Sequence, residues 1–71
     1  MVTQNNIQDF RRRRHMSQQA LAVLAGTSPA IITLVEKHGH LPGEDLRKRI
    51  AEALSVTEAE LWPNVSEAAS K

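Results

Sequence analysis

The sequence predicts a single all-α domain built from five short helices, and three observations predict it. At 71 residues the chain has room for one domain and a small core. Its apolar residues recur at helical spacing in short runs and do not alternate over the length of a strand. Four of the five runs open on a Ser, Thr or Asn that can cap a helix, and three close on a Gly or Pro that must end one.

The first helix is expected over about residues 6–14, capped by Asn5 or Thr3, with Ile7 and Phe10 inward at an i, i+3 spacing. Ser17 caps the second, whose Leu21, Leu24 and Ala25 form one apolar stripe. Gly26 stands where that helix must stop, because glycine takes the left-handed conformation there without strain. Ser28 caps a third helix at once, and Pro29 in its first turn leaves no extra group unpaired. Its inward residues are Ile32 and Val35, and residues 38–43 follow as a loop marked by Gly39 and the Pro42-Gly43 pair. A fourth helix is expected over about residues 44–54, with Leu46, Ile50, Ala53 and Leu54 inward.

The start of the fifth helix is the most fully specified. Thr57 and Glu60 stand three apart as a capping box, and Val56 and Leu61 flank them as a hydrophobic staple. Pro63 ends it, and Trp62 beside it reads as a lid on the core, with a dimer contact as the second reading. Residues 65–71 are small and polar with no packing pattern, so a frayed tail is expected after a domain spanning residues 1–64.

The order cap, glycine, cap over residues 17–36 is the spacing of a helix-turn-helix. Two helices joined this tightly cross steeply, so residues 28–37 form a ridge that can enter a DNA major groove. Net charge is only +1, but its distribution is uneven. Residues 1–40 hold the run Arg11, Arg12, Arg13, Arg14 and Lys37 against Asp9 and Glu36, a balance of +3. Residues 41–71 carry a balance of −2, so a polyanion favours the first half of the chain. The arginines point about 100° apart on a helix, so no single partner engages them all. Arg12 and Arg13 read as solvated residues suited to a helix C-terminus.

Other classes of function find little support. The chain has no cysteine, which removes disulfides and thiolate metal sites and makes a reducing, cytoplasmic setting the expectation. No apolar stretch approaches the roughly 20 residues of a membrane span, and residues 1–4 do not open a signal peptide. Glu36, His38 and His40 lack the further ligands that a metal site needs, so no metal and no cofactor are expected. Ser17 and Ser28 are accounted for as caps, and the acids of the fourth helix are interleaved with Arg47, Lys48 and Arg49 as a solvated face. No catalytic residue is expected.

Arg11, Ser17-Gln18, Leu21-Ala22, Ala25-Gly26, Ser28, Ile32, Glu36 and Ala53-Leu54 with Val56 resemble the lambda-repressor-like, Cro-type (XRE) helix-turn-helix family. The resemblance spans about residues 7–62 and implies a compact five-helix lambda-repressor-like fold, a transcriptional regulator, and double-stranded operator DNA as partner. It also implies a homodimer on a two-fold symmetric site. Gln18 matches the family glutamine that holds a phosphate, Pro29, Ala30, Thr33 and Leu34 take the groove-facing positions, and Ser28 at the start of that helix joins the DNA-binding set. Lys37, His38 and His40 lie where the chain leaves the third helix and can reach the DNA backbone, and Arg11 and Glu36 match an ion pair between the first and third helices. One departure stands out. Where the family presents Gln, Asn, Arg or Ser to base edges, this chain offers Pro29, Ala30, Ile31 and Leu34, with Thr33 as the one polar member. The alternative function is an antitoxin-like or adaptor module that turns the same apolar third helix toward a protein partner.

Overall fold

A computed structural model of the chain describes residues 4–63, which fold into five helices: α1 (Ile7–Arg13), α2 (Gln18–Ala25), α3 (Pro29–His38), α4 (Glu44–Leu54) and α5 (Glu58–Leu61). The expected tail over residues 65–71 and the cap at Thr3 lie outside the described residues. Local chemistry sets the starts. Ser17 Oγ accepts the Ala20 N–H at 3.0 Å, and Ser28 Oγ accepts the Ile31 N–H at 3.3 Å. Thr57 and Glu60 close the capping box in both directions, at 3.2 and 3.1 Å. Helix α4 starts differently, on Gly43 with no side-chain cap, and places Glu44 and Asp45 against the positive end of its dipole.

Ends follow the backbone. Gly26 and Gly39 both sit at φ 69° and close α2 and α3 in the left-handed conformation. Two ends use the same conformation without glycine, at His15 (φ 53°) and Ser55 (φ 58°). After Ser55, the Val56 N–H reaches back to the Ala51 carbonyl at 3.0 Å, which keeps a helix-end carbonyl paired.

Packing centres on α2, which lies against both α3 and α4, while α5 packs on α4. Every helix contributes to one core: Ile7; Leu21, Ala22 and Ala25; Ile32 and Val35; Ile50, Ala51 and Leu54; and Leu61 with Trp62. Trp62 is 1% exposed and closes this core as the expected lid, although its Nε1–H finds no acceptor. The two ends of the fold are tied together. The Asn6 N–H donates to the Leu61 carbonyl and Asn6 Nδ2 to the Glu60 carbonyl, both at 2.9 Å.

Three expectations are corrected. Leu24 is not inward: it is 61% exposed, and Ala22 takes its place in the buried stripe. Helix α2 is apolar nearly all round, so its inner face is chosen by its two neighbours. With α3 and α4 both packed on it, the buried arc centres between Leu21 and Ala22 and turns Leu24 about 100° away. The cap of α1 falls on Asn6 without a side-chain bond, while Asn5 Oδ1 accepts the Ile7 N–H at 3.2 Å from one residue earlier. Arg47 does not belong to a solvated face. Its side chain is 14% exposed, reaching Glu58 at 3.4 Å and donating to the Pro42 carbonyl at 2.9 Å.

Candidate nucleic-acid interface

The axes of α2 and α3 turn through 112°, so α3 buries one side and leaves the other bare. Ile32 and Val35 are fully buried, while Ser28, Pro29, Ala30, Lys37 and His38 are exposed and Leu34 is 42% exposed. Thr33 and Ile31 are half-buried at the edges of that outer surface. The structure therefore gathers the groove-facing set expected from the sequence onto one side of one helix. Ser28 is exposed, but its hydroxyl oxygen is engaged in the cap of α3.

Beyond α3, Gly39 turns the chain, and the N–H groups of Gly39 and His40 both point to the Leu34 carbonyl. His40 is exposed beside Lys37 and His38, so three basic side chains cluster at the end of α3 where carbonyls accumulate. From Pro29 to His38 the helix is about 15 Å long, enough to lie across a major groove roughly 12 Å wide.

Beneath this surface runs a chain of polar contacts. Arg11 Nε and Nη2 hold the two Glu36 carboxylate oxygens at 2.8 and 3.0 Å, and Arg11 Nη1 donates to the Met16 carbonyl at 2.9 Å. The Arg11 and Glu36 side chains are 12% and 1% exposed, as a pair pinning α1 to α3 requires. Gln18 Nε2 donates to the same Glu36 Oε1 at 3.0 Å, and Thr33 Oγ1 donates to Gln18 Oε1 at 3.0 Å. The Gln18–Thr33 bond is what reading the sequence missed. The steep crossing predicted at Gly26 is its only signal, since that angle sets the first turn of α2 beside the middle of α3.

Arg13 and Arg14 act locally. Arg13 and Arg14 lie over the Phe10 ring at 5.2 and 5.6 Å, and Arg14 Nη1 donates to the Phe10 carbonyl at 3.2 Å. Arg13 also stands 3.8 Å from Asp9, with both side chains about two-thirds exposed.

Two capped helices joined through a left-handed glycine, the second bared along its outer side, define a helix-turn-helix protein. A family model described as Helix-turn-helix matches residues 7–61, and the chain belongs to that family, the XRE type with a lambda-repressor- and Cro-like helical fold. It is a family of DNA-binding transcription regulators. No curated protein matches the chain. Among the described residues no single helix is long and apolar enough to cross a membrane.

Proposed function

We propose that this chain is a sequence-directed, double-stranded DNA-binding regulator of repressor-like type, bacterial or phage in kind, that lays α3 in the major groove. The observation that carries the reading is the outer side of α3: Pro29, Ala30, Leu34 and Lys37 stand clear of a core that the opposite side fills. Gln18 keeps one N–H beyond its bond to Glu36, and that N–H is available to a phosphate near the start of α2. Lys37, His38 and His40 supply the second phosphate grip. Apolar Ala30 and Leu34 suit thymine methyl groups. In this reading the protein acts by binding alone, without catalysis or cofactor, in the cytoplasm. A homodimer on a two-fold operator would place its half-sites one helical turn, about 34 Å, apart.

A second reading keeps the fold and gives the surface to a protein. It rests on exposed apolar side chains: Val23 at 73% and Leu24 at 61% on α2, and Leu34 on α3. Titration of random duplex DNA at several salt concentrations separates the two. The DNA reading expects binding at low salt that weakens steeply as salt rises. Absence of such binding favours the protein partner. Selection from a random duplex pool then reports the operator and its symmetry.

A further inference from the structure

We infer that Thr33 meets DNA as a hydrogen-bond acceptor only and selects an exocyclic amino group, adenine N6 or cytosine N4, at one base pair of the site. The inference rests on the DNA-binding reading and deepens it by naming what Thr33 reads.

Proton bookkeeping along the buried chain fixes the outcome. A guanidinium has donors and no acceptor, so Arg11 forces Glu36 to present lone pairs. Facing that carboxylate, the Gln18 side-chain amide must turn its nitrogen inward, since its oxygen there would oppose another oxygen. The amide is planar, so its oxygen then faces α3. A hydroxyl beside that oxygen can bond to it only by donating, and Thr33 Oγ1 does so at 3.0 Å. Thr33 owns a single proton and has now spent it inward. What its oxygen offers outward is lone pairs.

The consequence is selective. Phosphate oxygens, guanine O6 and N7, adenine N7 and thymine O4 are all acceptors, so none pairs with Thr33 without breaking its bond to Gln18. Amino groups on adenine and cytosine are the major-groove donors that fit. Helix position agrees, since Thr33 is half-buried at the edge of the exposed face, where Gln18 can reach it while its outer side stays open. Gln18 and Thr33 thereby divide the work: the amide donates its free N–H to the backbone, and the hydroxyl accepts from a base.

The test uses the full chain and the duplex its own selection returns. Each adenine is replaced in turn by purine, which lacks the N6 amino group, and each cytosine by 2-pyrimidinone, which lacks N4. Binding is measured at fixed salt for the parent and for the near-isosteric Thr33→Val, after melting curves confirm that both fold. Comparing the two proteins on the same duplexes cancels any effect of the analogue on the DNA itself. At one position, amino deletion should weaken the parent about tenfold and leave Thr33→Val indifferent. Loss with purine identifies adenine, and loss with pyrimidinone identifies cytosine. Gln18→Met, which frees the Thr33 proton, should leave the amino group accepted but relax the selection, so that guanine or thymine at that position weakens binding less than it does for the parent. Specific binding with no Thr33-dependent amino position overturns the inference and leaves the DNA reading standing. So does a Thr33→Val variant that weakens every duplex by the same factor, because that places Thr33 on phosphate. No salt-sensitive duplex binding by the parent removes the reading itself.

Discussion

Two arginine–carboxylate pairs tie this fold together, and they differ in what lies behind the carboxylate. Arg11 grips Glu36 through two bonds, with the acid 1% exposed. Arg47 reaches Glu58 through one bond of 3.4 Å, with the acid 31% exposed. Behind Glu36 stand Gln18 and then Thr33 at the outer side of α3. Glu58 lies in the first turn of α5, and Arg47 holds that turn and the Pro42 carbonyl beside α4. Both pairs staple helices. Only the first also sets which atoms a surface residue shows to a partner, because a buried carboxylate must have its lone pairs met while an exposed one is served by water.

Breaking the first pair should cost most. Arg11→Ala strands the Glu36 carboxylate and should lower unfolding free energy by about 3–5 kcal/mol, close to the whole stability of a domain this small. A variant that melts like the parent would refute the pair's burial. Arg47→Ala should cost about 1 kcal/mol, because water reaches Glu58 and replaces much of what is lost. Urea melts of the two variants measure that contrast directly, and equal losses would contradict it. Lys37→Ala leaves both staples intact, so it should not change the melt. Instead it should weaken all duplexes by a similar factor and reduce the salt slope by about one. Smallest is the exposed pair of Lys48 with Glu44, 3.7 Å apart at an i, i+4 spacing. Lys48→Ala should cost about 0.3–0.5 kcal/mol in melts and leave DNA binding unchanged.

How legible each staple was in the sequence follows from chain separation. Caps at Ser17, Ser28 and Thr57 involve neighbours three residues apart, and all were legible. The Arg11–Glu36 pair was reached through family resemblance, since nothing local links residues 25 apart. Arg47 is missed because Lys48 and Arg49 beside it do face solvent, and a run of three basic residues hides the one member turned inward. Leu24 was misplaced because a helix apolar on most sides carries no record of which neighbour will cover it. His15 and Ser55 end helices in a conformation that glycine usually announces, so neither end is legible from residue type. The Thr33 bond to Gln18 depends on the crossing angle of two helices, a quantity set by packing.

The central claim is that DNA lies along the outer side of α3, and amide chemical-shift mapping tests it most directly. A 15N-labelled sample would be titrated at low salt with the selected duplex, and again with a scrambled one. DNA along α3 should shift Ala30, Thr33, Leu34, Lys37 and His38, together with the Gln18 side-chain amide. Signals should stay quiet at Asp45, Lys48, Arg49 and Glu52, which line a depression on the outer side of α4 and are balanced in charge. Shifts confined to α4, or no shifts with either duplex, would contradict that placement.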